Sequence, residues 1–200
     1  KITGGGNLIL GSESFKNAEL KGNTGDGSSI TYELTGGATM ANTNSNRYFR
    51  WTTVGAYVAK GVTLCLSVMY KPVSGADEFC MEIAYTAGYS TSQSWATIKP
   101  TDQLEIEQTG GWVLRYGLWT PPDNATLKLV DMGSGTTHAG TGNYTNKFSL
   151  LHPMLQYGNA PTAWNASSGD YLTQESAKSL FSQTADEIKT EVTKSVTETV

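Results

Sequence analysis

The chain has 200 residues, 38% hydrophobic and only 16% charged, with a formal net charge of −4, against a charged share of about 25% in ordinary soluble domains. It is long enough to bury a real core, and its acidic balance excludes a broad phosphate-binding surface and so a dedicated nucleic-acid binder. No apolar run approaches the ~20 residues of a membrane span, and no basic stretch followed by an apolar one opens the chain, so neither membrane insertion nor a signal peptide is expected.

In chain order, short runs rich in β-branched and aromatic residues predict strands at 7–10, 29–34, 47–53, 62–70, 79–85, 103–108, 113–119, 126–130 and 148–156. Gly, Asn, Ser and Thr fill the loops between them, as at 24–28, 36–37 and 133–135. Nine strands without an intervening helix predict an all-β fold over 1–171, a jelly-roll β-sandwich. Around 113–119 one parity carries Trp112, Leu114, Tyr116 and Leu118 and is assigned to the core. The other carries Val113, Arg115, Gly117 and Trp119 and is assigned outward. By the same alternation Phe49 and Trp51 face the core, and Tyr48 and Arg50 do not. Residues 88–96 read as a polar loop holding Tyr89 and Trp95.

Cys65 and Cys80 are expected to stay unbridged. If their runs pair through a turn at 71–77, Cys65 falls near Ala84 and Cys80 near Met69, whereas a disulfide needs Cα atoms within about 7 Å. Free thiols suit folding in a reducing cytoplasm.

From Thr173 onward the chain has no Gly, Pro or Trp. Thr173 is a plausible N-cap, with Glu175 in the first turn. Phe181, Ala185, Ile188 and Val192 follow at alternating four- and three-residue spacing, a coiled-coil seam. Residues 172–200 are therefore predicted to form one oligomerising helix, a helix docked back on the sandwich being the alternative. The chain opens at Lys1 and stops at Val200 in mid-pattern, as a piece of a longer polypeptide would.

Catalytic constellations are missing from the pattern. His138 and His152 lie in no metal-ligand spacing, no Gly-x-Ser-x-Gly elbow occurs, and Glu105 and Glu107 read as the solvated face of a strand. No enzyme is expected. The aromatics carry the remaining signal, because a pyranose stacks its apolar C–H face on Trp or Tyr while Arg, Asn, Asp or Gln take its hydroxyls. On loop placement and parity, Trp95 and Trp119 lead the candidates for a sugar site, followed by Tyr89, Arg115, Tyr48 and Arg50.

Four segments then resemble a known family: Asn7-Leu8-Ile9-Leu10, Lys60-Gly61 ahead of 62–70, Gly111-Trp112 ahead of 113–119, and the closing Pro153-Met154-Leu155-Gln156-Tyr157-Gly158 with Ala160-Pro161-Thr162-Ala163-Trp164. They are similar to carbohydrate-binding-module-like jelly rolls of phage and prophage tail fibres and tail-associated minor structural proteins. The resemblance implies non-catalytic binding of a host cell-wall or surface polysaccharide, avidity from homotrimers built through the C-terminal helix, and other tail or baseplate proteins as partners. It implies residence in the virion tail after synthesis in the bacterial cytoplasm. A spacer or decoration domain with no ligand is the alternative. It also implies that Leu155 and Trp164 pin the last strand against the first. Such jelly rolls often hold a structural calcium; the acids Glu13, Asp26 and Asp131 are scattered, so no ligand set is assigned and no other cofactor is expected.

Overall fold

A computed structural model describes residues 6–23, 27–135 and 144–167. The described chain is all-β apart from single 3-10 turns. Its strands are β1 (Glu19–Asn23), β2 (Ser29–Tyr32), β3 (Ala38–Thr52), β4 (Tyr57–Val58), β5 (Leu64–Gly75), β6 (Phe79–Ala87), β7 (Gln93–Ile98), β8 (Leu104–Glu107), β9 (Val113–Trp119), β10 (Ala125–Ser134) and β11 (Tyr144–Tyr157). The predicted helix at 172–200 lies outside the described residues, as do His138 and Asp26.

Every described strand pair is antiparallel. The hydrogen-bonded path runs β7-β6-β10-β3-β11-β5-β9-β8, with β1 and β2 also on β3 and β4 on β10. This one path curls into a two-layer sandwich because β3 belongs to both layers. Its first half, as far as Ser45, pairs with β2 and β11, and its second half, from Asn46, pairs with β1 and β10. The turnover point is Asn44, at φ 47. Asn is among the few side chains that tolerate this left-handed conformation, and the β11 register slips beside it. We call the β1, β10, β6, β7 half with β4 the first sheet and the other half the second sheet.

The two inner faces bury one continuous core. Phe15 makes edge contacts with Phe49 and Trp51 at 4.9 Å between centroids, and Tyr70, Phe79 and Phe148 form a second cluster at 5.0 to 5.6 Å. Each of these large side chains contributes about 1.5–3 kcal/mol by leaving water. The sheets approach so closely at Gly117 that a Cβ there would sit 2.4 Å from the Ile98 side chain.

Three expectations need correcting. Cys65 and Cys80 are not on paired strands: β5 pairs with β11 and β9, β6 with β10 and β7, and the residues between cross from one sheet to the other. Both thiols are free and buried, and burial pushes each up to about 12. The supposed loop at 88–96 is half strand, with Trp95 on β7 opposite Ala84. The parity assigned to β9 is inverted. Its partners on β5 are Leu64 for Trp119, Leu66 for Gly117, Val68 for Arg115 and Tyr70 for Val113. Residues directly opposite share a face, and those four β5 residues are buried, so Val113, Arg115, Gly117 and Trp119 point inward. The apolar set misleads because Leu118 stays 42% exposed, alongside Leu104 and Ile106 of the edge strand β8.

The closing segment is held by a buried polar clasp. Asn7 donates through its amide to Ser12 Oγ, Pro153 O and Asn165 O, and its Oδ1 accepts from the N–H groups of Ile9 and Leu155. Its own N–H donates to Asn165 Oδ1, and the Leu8 N–H donates to Leu155 O at 2.8 Å. Trp164 donates its indole N–H to Pro153 O and stacks on His152 at 4.5 Å.

Burial of His152 lowers its pKa below the ordinary value of 6.5. The fold thus resists a proton that the unfolded chain takes up, so stability should fall as pH drops below about 6.5. His152→Asn, which tolerates the φ of 57 at this position, should flatten that dependence. Denaturant midpoints measured from pH 7.5 to 5 read the slope; an unchanged slope in the variant would place the acid sensitivity elsewhere.

Candidate binding face of the first sheet

Alternate residues of β3, β10, β6 and β7 point away from the core, and cross-strand register arranges them in rows. One row is Arg50, Asp131, Glu82 and Thr97; the next is Thr52, Leu129, Ala84 and Trp95; on the other side lie Tyr48, Gly133 and Cys80. β1 extends the rows with Glu19 beside Arg50 and Lys21 beside Tyr48, and those two β1 side chains pair with each other. The small residues Gly133, Cys80 and Ala84 are buried among these rows.

Electrostatics fix the centre of this face. Asp131 and Glu82 are fully buried although they point outward. Arg50 donates from Nε and Nη2 to the two oxygens of Asp131 at 2.8 and 2.7 Å, a bidentate geometry that sets the guanidinium plane. The bond from Asp131 holds the Arg50 guanidinium above its ordinary pKa, against the opposing effect of burial. Thr97 donates its hydroxyl to Glu82 at 2.9 Å. From this anchor the guanidinium lies 5.2 Å from the Trp95 ring centroid and 5.6 Å from that of Tyr48, within the range of cation–π attraction. The result is a pre-positioned aromatic–arginine platform over a buried acid pair.

The structure therefore gathers three of the six sequence candidates, Trp95, Arg50 and Tyr48, on one face. Trp95 and Arg50 are half-buried, while Tyr48 is 8% exposed. Tyr89 is fully exposed at the β6–β7 turn, beyond the end of the same sheet. Trp119 is on the inner face, 4.7 Å from Tyr85 and packed on the core. Arg115 is inward as well, and it makes a structural clamp: it donates to Glu105 and to Asp77, with its guanidinium 3.9 Å above the Tyr70 ring. Burial works against its charge, but the bonds and charge of Asp77 and Glu105 outweigh burial and raise its pKa. Glu105 is thereby an ion-pair partner rather than a purely solvated residue.

Sequence reasoning overlooked Tyr57, which is 60% exposed on the outer parity of β4; its isolation between Gly55 and Gly61 was the available signal. It also overlooked Glu82, whose place among apolar neighbours in a buried strand marks it in retrospect. Among the described residues no three His, Cys, Asp or Glu side chains could hold a metal ion. Glu13 accepts from Asn17 Nδ2 and Asp131 is taken by Arg50. No helix of the described residues is long and apolar enough to cross a membrane.

No protein-family model matches the chain, and no curated protein sequence matches it. Solved structures of similar fold include the enzymatically active domain of tailspike protein 4 from bacteriophage CBA120, with a TM-score of 0.49, 11% identity and coverage of 76% of this chain. This chain spans 21% of that one. A family 16 carbohydrate-binding module gives a TM-score of 0.41 at 14% identity, over 74% of this chain and 99% of the module. The CBM22-1 xylan-binding domain from Paenibacillus barcinonensis gives 0.40 at 15%, over 78% and 98%.

Proposed function

We propose that the described domain is a non-catalytic carbohydrate-binding module whose ligand lies across the outer face of the first sheet, against Trp95, Arg50 and Tyr48. The observation that supports this reading is the Arg50 guanidinium held bidentately by a buried Asp131 and set between two aromatic rings. A sugar ring needs an apolar plane and fixed donors beside it, and sites whose donors are locked in advance lose less freedom on binding. Trp95 supplies the plane and Arg50 the donors.

In the fuller reading the saccharide is a host cell-surface polymer, the protein part of a phage tail, and residues 172–200 the segment that brings copies together. That reading is supported by the likeness of the opening and closing segments to tail-protein jelly rolls and by the heptad-like spacing from Phe181 to Val192. The physical logic is avidity: weak single sites joined in one assembly gain orders of magnitude in apparent affinity without new contacts.

The test is a titration of purified bacterial cell-wall polysaccharide and a panel of defined oligosaccharides, followed by tryptophan fluorescence, on the parent and on Trp95→Ala. A saturable change in the parent that is weakened about tenfold or more by Trp95→Ala, with the melting temperature retained, is the expected result. No response in the parent to any saccharide would favour the spacer reading.

A further inference from the structure

Beyond the end of the first sheet, Tyr57, Ala87, Gly88, Tyr89, Asp123 and Asn124 enclose an open cleft of about 370 Å³, within the size range of small-molecule sites. Its two tyrosines are among the most exposed large side chains of the described protein, at 60% for Tyr57 and 107% for Tyr89. Between them the backbone is pinned. Asn124 O accepts from the Gly88 N–H at 2.7 Å, Asn124 Oδ1 accepts from the Lys60 N–H at 3.0 Å, and the Asn124 N–H donates to Asp123 Oδ1 at 2.7 Å. Tyr57 is held through its carbonyl, which accepts from the Tyr157 hydroxyl at 3.0 Å.

This bonding leaves a definite set of groups facing the cleft. Asp123 Oδ2 accepts no hydrogen bond within the described residues and lies 3.6 Å from the position a Cβ on Gly88 would take. The Asn124 amide nitrogen likewise has its donors unused there. A carboxylate oxygen that accepts and an amide that donates, set between two aromatic faces, match a pyranose: adjacent hydroxyls on one edge and an apolar C–H face. Gly88 keeps the cleft open, since at φ 52 a side chain would be strained and would project toward Asp123.

The cleft is not isolated from the proposed binding face. Tyr57 pairs with Thr126, and Thr126 with Thr86. Thr86 shares the outward parity of Ala84 and Glu82. Tyr89 follows Ala84 by five residues, at most about 17 Å at the rise of a strand. We infer that the Tyr57–Tyr89 cleft is a second saccharide contact, which takes one pyranose unit through Asp123 and Asn124, and that the ligand is a linear chain running from it along β6 and β10 to Trp95. This deepens the reading of the first-sheet face and rests on it for the Trp95 end.

The test uses an array of glucose-, galactose-, N-acetylglucosamine- and rhamnose-based oligosaccharides from one to six units, with Trp95→Ala, Tyr57→Ala, Tyr89→Ala, Asp123→Asn and the parent. The result expected is affinity that rises with chain length beyond the disaccharide. Tyr89→Ala and Asp123→Asn should each weaken the longer chains about five- to tenfold and leave the shortest bound ligand unchanged, which Trp95→Ala alone weakens. Tyr89 and Asp123 are exposed, so these variants keep the fold. Loss in Trp95→Ala with no effect of any cleft variant at any length would overturn the cleft and leave the sheet face standing. Loss in the cleft variants with none in Trp95→Ala would overturn the spanning chain and the sheet-face reading, leaving the cleft as a site by itself. Binding of no oligosaccharide by the parent would overturn both.

Discussion

Asn7→Ala should destabilise the domain by about 3–5 kcal/mol, measured as the shift in chemical-denaturation free energy. The side chain makes five hydrogen bonds at a site 1% exposed, and each buried group left without a partner costs about 1–3 kcal/mol. Removing the amide strands the N–H groups of Ile9 and Leu155 and the carbonyl of Asn165 together, while Pro153 O keeps the Trp164 indole N–H, and water in the space left by the side chain recovers only part of the loss. The entry of the chain would come loose from its last strand and closing segment at once, because both meet at this one side chain. Asn165→Ala removes the acceptor for the Asn7 N–H and should cost about 1 kcal/mol. Equal effects of the two substitutions would show that Asn7 is not the centre of the clasp.

Arg50→Met should be the second severe change, at about 3 kcal/mol, because it leaves Asp131 fully buried without its cation and beside Glu82. Breaking a buried pair by removing one partner is costly chiefly through the charge left behind. Adding Asp131→Asn to Arg50→Met should therefore recover more than half of the loss. Additive costs in the double variant would mean that the two side chains do not act as a unit. Saccharide binding should stay impaired in the stabilised double variant, since the donors beside Trp95 are gone, which separates the role of Arg50 in binding from its role in folding.

Strand existence was largely legible from the sequence, and the strand at 113–119 has the bounds read from its alternating pattern. Facing was legible only where apolar mass decides it, as for Phe49 and Trp51 on β3. On β9 the residue that betrays the inner face is an arginine, and Arg115 is admitted there by Asp77 and Glu105, which come from a sheet crossing and an edge strand. No local pattern contains that fact. The crossing itself hid behind a plausible hairpin: residues 71–77 look like a turn, but 71–75 continue β5 and only 76–78 carry the chain to the opposite sheet, so Cys65 and Cys80 never meet. β7 escaped notice because its residues Gln93 to Ile98 are mostly polar on the outer parity, and the pairing that makes them a strand is with β6. For the site, Tyr48 and Arg50 fell on one face because outward parity on β3 was readable, whereas Trp95, chosen as a loop residue, joins them only through the pairing of β7 with β6. Asp131, which locks Arg50, was not readable, because it is set opposite Arg50 by the long-range pairing of β10 with β3, which no local pattern contains.

The claim that Trp95 and Arg50 form the ligand face is tested most directly by NMR. The five tryptophans give separate indole N–H signals, and Arg50 gives a guanidinium Nε–H signal sharpened by its bond to Asp131. In a titration with the tightest-binding saccharide of the panel, the account predicts progressive shifts at the Trp95 indole and the Arg50 Nε–H, with Trp51 and Trp119 in the core unmoved. Shifts concentrated at Trp112, just ahead of β9, and Trp164, in the segment after β11, with Trp95 and Arg50 unchanged, would contradict it.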